Sequence, residues 1–372
     1  MGVGISAHRL AGSVAREGAL GTIASIDLRH HHADLVDACR AHPDRETLER
    51  ANLTALAREI RAARVLSEGR GMIAVNVMKA VSAHADYVRV ACENGADAIV
   101  MGAGLPLDLP DMTHAFDVAL IPILSDSRGA TLVLKKWMKK GRLPDAIVIE
   151  HPAHAGGHLG VTNLAEMHDG RFEFARVLDE MHAVFASLGL SRDEVPLIVA
   201  GGINSHDAVR TCLAAGASGV QLGTPFAVTE EGDAHPDFKR VLAEATPEDI
   251  VEFVSVTGLP ARAVRTPWLT RYLRHEERIR TKIGALRQAC PTALECLSAC
   301  GLRDGIEKFG HFCIDTRLAA ALRGDIANGV FFRGRETLPF GHAIRSVRDL
   351  LELLLTGTAR PAAARHGAFS LR

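Results

Sequence analysis

The chain has 372 residues and a formal net charge of -1, with 43 Lys and Arg residues against 44 Asp and Glu residues. Because neither sign dominates, the composition excludes a broad electrostatic surface for nucleic acid or for an anionic membrane. Apolar residues make up 47% and aromatic residues 5%, which suits a core of packed β/α layers. The length fits a barrel of about 250 residues with an appendage, or two average domains.

Seven cysteines are spread along the chain, and its start, Met1–Gly4, lacks the basic segment of a secretory signal. An odd number of thiols favours a reducing environment over a disulfide framework. No apolar run approaches the ~20 residues that a membrane span needs. We therefore expect a cytoplasmic protein that is not embedded in a membrane.

Strand-like runs alternate with helical segments such as Arg45–Ser67 and Phe172–Leu188. Each run is nearly all apolar, which is typical of a strand buried on both faces. The repeated order of strand and helix predicts a parallel sheet with right-handed crossovers. Seven runs have this character: Gly21–Ile26, Met72–Val77, Ala98–Met101, Val118–Leu124, Ala146–Ile149, Pro196–Ala200 and Gly219–Leu222.

A (β/α)8 barrel needs eight strands, and this chain opens with a turn and a helical stretch, Ser6–Arg16. We therefore predict a TIM barrel over residues 1–232 that lacks its first strand, so that the true N-terminus would lie upstream of Met1. An open, doubly wound sheet is the alternative. Residues 233–372 are predicted to be helix-rich, to end in an amphipathic helix at Val347–Leu355, and to pack on the barrel, since no flexible linker precedes them.

Two glycine turns follow consecutive strands. Gly201-Gly202 ends the sixth run, and Gln221 precedes Gly223-Thr224 at the end of the seventh. Glycine lets the backbone approach an anion closely, and barrels commonly bind phosphate after their last two strands. The pair of turns favours a phosphate site over tight turns alone.

The loop after the fifth run holds three histidines, His151, His154 and His158, with Gly156-Gly157 before the last. A histidine flanked by glycines can present its imidazole to a ligand, and its ordinary pKa near 6.5 suits proton abstraction. A metal site and a lid with incidental histidines are the alternatives. The loop lacks helical ligand spacing and an obvious fourth ligand, so we favour a catalytic base.

Two further polar features lie near the start of the chain. Asn76 stands at the carboxyl end of an apolar strand, where its amide must bond either a cofactor or a neighbouring loop. Gly2–Ala7 fits the dinucleotide fingerprint G-x-G-x-x-A, with Asp27 about 20 residues later, but no strand precedes the motif. We therefore favour the barrel over a Rossmann site.

Four of the seven thiols fall close together, at Cys290, Cys296, Cys300 and Cys313. Such clustering is compatible with zinc or an iron–sulfur centre. The spacings match neither zinc ribbons nor common ferredoxins, so buried core thiols are the favoured interpretation.

Several motifs occur in order at regular intervals, and together they resemble the nitronate monooxygenase family, formerly called 2-nitropropane dioxygenases. The flavin-dependent enoyl-acyl-carrier-protein reductases are close relatives of that family. The resemblance covers residues 1–265, whereas the cysteine-bearing tail resembles an uncharacterised bacterial branch. The motifs that carry it are Met1–Ser6, Ala74–Asn76, Ala155–Gly160, Ala200–Ile203 and Gln221–Phe226.

The resemblance implies a TIM barrel that binds FMN non-covalently at its mouth, with His158 as the catalytic base or the group that positions the substrate. With the strand before Met1 missing, the flavin contacts from that strand end reduce to Met1 and Gly2. Many members have Gln seven residues before the histidine, where this chain has His151. The implied cofactor-binding residues are Met1, Gly2, Asn76, His151, Gly156, Gly157, Gly201, Gly202, Gln221, Gly223 and Thr224.

The function implied is the FMN-dependent oxidation of alkyl nitronates or nitroalkanes with oxygen, to carbonyl compounds and nitrite. An NAD(P)H-dependent FMN reductase of an enoyl thioester or a quinone is the first alternative. The second is a non-catalytic or electron-transfer flavoprotein whose Cys-rich tail holds a metal. The expected partners are the small-molecule substrate and oxygen, with NAD(P)H as a further candidate and no nucleic acid or membrane.

Overall fold

The computed structural model describes residues 4–282, 290–292, 294 and 296–359. The described residues form a seven-stranded parallel sheet and a three-stranded antiparallel sheet. Every predicted run overlaps a strand of the parallel sheet, which confirms the strand prediction. In chain order the strands are β1 (Leu20–Ala24), β2 (Met72–Met78), β3 (Ala98–Gly102), β4 (Ala119–Leu124), β5 (Ile147–Glu150), β6 (Gly157–His158), β7 (Leu197–Ala200), β8 (Gly219–Gln221), β9 (Ile250–Val254) and β10 (Pro260–Val264).

The parallel sheet follows chain order, β1-β2-β3-β4-β5-β7-β8, and each neighbouring pair is parallel. A doubly wound sheet reverses its strand order at a switch point, whereas a barrel does not. The α/β barrel prediction is therefore confirmed, and the doubly wound alternative is wrong. The same order argues against the Rossmann reading of the Gly2–Ala7 motif.

Helices connect the strands, and those predicted at Ser6–Arg16, Arg45–Ser67, Phe172–Leu188 and Val347–Leu355 are confirmed within a few residues. None of the helices in the described part of the chain combines the length and apolar character that crossing a bilayer requires. In chain order the α-helices of this part are α1 (His8–Arg16), α2 (Ala33–Ala41), α3 (Arg45–Leu66), α4 (His84–Glu93), α5 (Leu109–Thr113), α6 (Ser127–Met138), α7 (Phe174–Ser187), α8 (His206–Ala214), α9 (Thr224–Ala227), α10 (Pro236–Glu244), α11 (Pro267–Lys282), α12 (Gly301–Asp304), α13 (Ile314–Leu322) and α14 (Val347–Thr356).

The sheet separates two apolar layers. Ile73, Val75 and Ile99 belong to the large core cluster between strands and helices. Ala74 and Val100 belong to a smaller cluster inside the barrel. Because side chains alternate along a strand, the residues that continue this inner set toward the carboxyl ends line the mouth of the barrel.

The edges of the parallel sheet, β1 and β8, meet through the segments that flank them. The N–H of Ala24 donates to the carbonyl of Ser6 at 2.9 Å, so the chain before α1 lies against β1. Asp233, which follows β8 and α9, accepts from the N–H groups of Ala7 and Leu10 at 2.8 and 3.1 Å. These contacts join the start of α1 to the segment after β8, so the sheet curls toward closure.

The antiparallel sheet was not predicted from the sequence. Its order is β6-β10-β9, so a hairpin from the later part of the chain pairs with the short strand of the histidine loop. Ala261 pairs with His158 in this sheet, and Ala263 makes a bridge to Phe332. The later part of the chain thus builds one wall of the barrel mouth.

Candidate active site

Three polar side chains end strands on the inner face of the barrel. Asn76 of β2 continues the inner set that contains Ala74, and Gln221 of β8 lies on the face opposite to Val220. Glu150 of β5 lies on the same face as Val148 by strand alternation. Neither the Asn76 amide nor the Gln221 amide has a hydrogen-bond partner among the described residues. The mouth of the barrel therefore presents two amides and a carboxyl group that can bind a ligand.

His158 enters this mouth from the antiparallel sheet. Its Nε2 lies 2.9 Å from Oγ of Ser255 and 3.2 Å from Oγ1 of Thr257, both in the turn between β9 and β10. Its ring lies 5.9 Å from that of Phe332. Burial lowers the pKa of His158 to about 4, because an imidazolium would lose its water in this enclosure. The ring is therefore neutral at physiological pH and can accept a proton.

His158 and Asn76 line the same cavity at the carboxyl ends of β1 and β2. Ser25 and Ile26 of the chain after β1 form part of its wall, and Phe332 closes it from the later part of the chain. The structure thus brings two of the predicted site residues together, from two different sheets.

Arg262 holds the histidine loop in place from beneath. Its side chain is fully buried, and its guanidinium donates to the carbonyls of Pro152 and Ala155. It also contacts Oε1 of Glu252 at 2.9 Å and the sulfur of Met167 at 2.9 Å. Two of these four contacts go to the histidine loop, one to the Glu252 carboxylate and one to Met167, and together they fix where β6 begins and hence where His158 lies.

The first glycine turn lies against the histidine loop. Gly201 and Gly202 have φ values of +100° and +79°, which side chains rarely adopt. A Cβ atom on Gly202 would lie 2.9 Å from Cβ and Cγ of His154. Nδ1 of His154 in turn lies 2.7 Å from Oε1 of Glu336. This turn therefore stays open only because both positions are glycine.

The second glycine turn faces the segment Phe332–Glu336, which we call the strap. A Cβ atom on Gly223 would meet nothing within 4 Å, so space lies in front of this turn. The N–H of Gly334 in the strap donates to Oγ1 of Thr224 at 3.0 Å, which leaves the hydroxyl proton of Thr224 for a ligand. A Cβ atom on Gly156 would lie 2.6 Å from backbone atoms of the strap. Gly156 is therefore needed for the strap to cross here, while Gly157, at φ +78°, begins β6.

His151 was predicted to contact the cofactor, but the structure places its ring elsewhere. The ring is 4% exposed and lies 5.4 Å from that of Phe174, at the start of α7. Burial lowers the pKa of His151 to about 4. Glu150, one residue earlier, occupies the inner face, and burial raises the pKa of its carboxyl to about 7. Glu150, and not His151, therefore lies at the barrel mouth.

The remaining predicted residues are the first two of the chain and the clustered cysteines. Met1 and Gly2 lie outside the described residues. All seven cysteines are free thiols, and Cys296 alone among the four clustered ones borders the cavity of His158, as far as the described lining shows. Within the described ranges, no group of three or more His, Cys, Asp or Glu side chains is placed to hold a metal ion.

Sequence reasoning missed Glu150, Ser255 and Thr257. Strand alternation could have found Glu150, since a carboxylate that ends an all-apolar strand must face either the core or the mouth. The signal for the other two was the apolar run at Ile250–Val254 followed by Gly258, which is typical of a hairpin.

The model of the nitronate monooxygenase family matches residues 1–356. The chain belongs to the nitronate monooxygenase family. A probable nitronate monooxygenase of Bacillus subtilis is 37% identical over 75 residues, which cover 20% of this chain and 22% of that protein. The matched regions span between 22% and 42% of the length of the curated relatives that align with this chain.

Two solved structures share the fold over nearly the whole chain. FabK from Thermotoga maritima has a TM-score of 0.64 and 21% identity, and the match covers 94% of this chain and 88% of that one. The nitroalkane oxidase of Streptomyces ansochromogenes has a TM-score of 0.62 and 20% identity, covering 95% and 92%. At such identities the likeness concerns the fold alone. The nitronate monooxygenase family, to which the chain belongs, is a family of flavin-dependent oxidoreductases.

Proposed function

We propose that this chain catalyses the FMN-dependent oxidation of alkyl nitronates and nitroalkanes with oxygen, to carbonyl compounds and nitrite. The observation that carries the proposal is His158, a neutral base enclosed beside Asn76 in a cavity at the barrel mouth. Family membership supplies the class of reaction, and the nitroalkane oxidase shares the fold.

The donors at the mouth fit a flavin mononucleotide. Gly202, Gly223 and Thr224 would hold the phosphate end, since the two turns admit close approach and the threonine hydroxyl keeps its proton. The unpartnered amides of Asn76 and Gln221 would bind polar edges of the cofactor. Bound there, FMN would supply the redox chemistry, and the protein would supply position and electrostatics.

The hydroxyls of Ser255 and Thr257 support an assignment of which nitrogen of His158 acts as the base. Both lie against Nε2. When Nε2–H donates to Oγ of Ser255, the lone pair of the neutral ring stands at Nδ1. We assign Nδ1 as the atom that takes the α-proton of a neutral nitroalkane. Enclosure by Phe332 limits the access of water to this proton transfer.

The visible spectrum of the purified protein, followed without oxygen, tests the proposal. Propionate 3-nitronate or nitroethane should bleach a bound flavin, and NADH is added to a parallel sample. Bleaching by NADH together with no response to either nitro compound would refute the proposal and favour a pyridine-nucleotide-dependent reductase.

A variant then tests the base. His158→Ala should keep its flavin but lose most turnover of nitroethane, by about 100-fold or more, because general base catalysis typically contributes that much. Turnover of preformed nitronate should fall far less, since its proton is already gone. His114→Ala, at an exposed histidine, is the matched control. Equal losses with nitroethane and its nitronate would show that His158 is not the base.

A further inference from the structure

The cavity of His158 has a second wall of titratable groups that the proposed proton transfer does not use. Asp27 follows β1 and is 1% exposed, and Asp315 lies in the first turn of α13 and is 5% exposed. Both line the cavity together with His158, Asn76 and Tyr87. Burying even one carboxylate is unfavourable unless it has a charged or hydrogen-bonding partner, so two buried carboxyl groups in one cavity must be stabilised by their surroundings.

Asp27 has such partners. Its Oδ1 receives the guanidinium of Arg29 and, at 3.0 Å, the side-chain amide of Asn52. Arg29 also donates to Oδ1 of Asn52 at 3.1 Å, so the three groups form a closed network. Asp27 is thus held as a carboxylate by one cation and one amide.

In each carboxyl group, one buried oxygen accepts no hydrogen bond from the described residues. These atoms are Oδ2 of Asp27 and Oδ1 of Asp315. The two side chains are close enough to share a hydrogen bond. Two carboxylates cannot face each other in a buried site, whereas a single proton between them satisfies both. Among the described residues, Asp315 has no cation of its own comparable to Arg29, so we place the proton on Asp315.

The surroundings agree with this assignment. Burial, followed by the charge of Asp27, raises the pKa of Asp315 well above its usual range. Burial also opposes ionisation of Asp27, but hydrogen bonds from Asp315 and Arg29 outweigh it and lower the pKa of Asp27. Among the described residues, the other titratable or charged groups that act on this pair or share its cavity are His30, Glu49, Tyr87, His158, Cys290, Cys296 and Cys313.

We infer that Asp315 is a neutral carboxylic acid that donates a hydrogen bond to a nitro oxygen of the bound substrate, opposite His158. This inference rests on the proposed function for its substrate class, a small neutral nitroalkane. It adds an electrophilic group to a site in which only a base and cofactor-binding residues had been assigned.

The chemistry balances without a further reactant. The α-carbon–hydrogen bond breaks and its proton passes to Nδ1 of His158, while the electron pair forms the carbon–nitrogen double bond and negative charge collects on the nitro oxygens. The O–H of Asp315 turns from Asp27 toward that oxygen and keeps its proton. Arg29 and Asn52 continue to hold Asp27. Removing one hydrogen-bond donor to a charge that develops in the transition state of an enclosed site typically lowers the rate by about 100-fold.

Infrared spectroscopy of protein with carbon-13-labelled aspartate tests the inference without turnover. At neutral pH the wild type should show the C=O stretch of a protonated carboxyl group, and Asp315→Asn should lack it. The probe is 2-methyl-2-nitropropane, a nitroalkane without an α-hydrogen, which should shift the band. Asp37→Asn, at an exposed aspartate of α2, should keep both the band and its shift. A missing band, or a band that the probe leaves unchanged, overturns the inference.

Kinetics give the second readout. Asp315→Leu should lower kcat/KM for nitroethane by about 100-fold, whereas Asp315→Asn, which keeps an N–H donor, should lose less than about 10-fold. Equal losses in the two variants overturn the inference. A wild type that shows the band and its shift but turns over no nitro compound refutes the proposed function and leaves Asp315 as a donor to a nitro oxygen.

Discussion

Replacement of Arg262 by Met tests whether the later part of the chain positions the candidate base. The guanidinium is buried and donates to the carbonyls of Pro152 and Ala155, and it pairs with Glu252. Met keeps most of the side-chain volume but leaves both carbonyls without a donor. Glu252 is 26% exposed and can turn to water, so its share of the loss is small.

The magnitude follows from these contacts. A hydrogen bond from a charged donor contributes about 1.5–3 kcal/mol, and two buried carbonyls, those of Pro152 and Ala155, lose such a donor. We expect Arg262→Met to lower the free energy of unfolding by about 3–5 kcal/mol, measured by urea denaturation. It should also lower kcat with nitroethane, because the start of β6 is released. Arg265→Met, three residues on and exposed, is the control and should stay within about 0.5 kcal/mol of the wild type. Equal losses of stability in the two variants would show that the contacts of Arg262 do not hold the histidine loop.

Three further predictions concern the walls of the mouth. Gly156→Ala should displace the strap and weaken FMN retention in gel filtration, because its Cβ would lie 2.6 Å from strap backbone, while Gly170→Ala, with nothing within 4 Å, should retain the cofactor. Glu150→Gln should raise the free energy of unfolding at pH 8 by at most about 3 kcal/mol, with no gain at pH 4.5. Burial raises the pKa of the Glu150 carboxyl to about 7 in the folded protein, whereas the unfolded chain loses this proton above the ordinary pKa of glutamate. The free energy of unfolding of the wild type therefore falls as the pH rises between these two pKa values. The double change Ser255→Ala with Thr257→Val should lower kcat for nitroethane more than for its nitronate, and equal effects would contradict the assigned tautomer.

The parallel sheet could be predicted from the sequence because its strands are buried on both faces. Runs such as Ile147–Glu150 and Leu197–Ala200 are apolar at nearly every position, and helices that carry charged residues at intervals separate the strands. The hairpin of β9 and β10 was missed for a related reason. Its two strands carry the charged residues Glu252 and Arg262, which pair with each other. Because of these charges, neither strand reads as an apolar run in the sequence, although most of their residues are buried.

The candidate site was predictable where glycine or a strand end marked it. Gly202, Gly223, Asn76 and His158 were all selected from such signals. The acid pair was not, because Asp27 and Asp315 are separated by most of the chain and meet only when α13 packs over the end of β1. Contacts of that kind depend on tertiary packing, which no local pattern in one sequence encodes.

The pair Glu150 and His151 shows how spacing and strand parity can select different residues. Counting back seven positions from His158 selects His151, but that count runs through a loop, and a loop can lengthen by one residue without disturbing the sheet. The alternation of side chains along β5 cannot shift in this way, because hydrogen bonding to β7 fixes its register: Val148 pairs with Ile198 and Glu150 with Ala200. A carboxyl group, that of Glu150, therefore stands at the mouth of the barrel. Since burial raises its pKa to about 7, its charge changes near neutral pH, and the affinity of the mouth for an anionic cofactor should decrease as pH rises through that value.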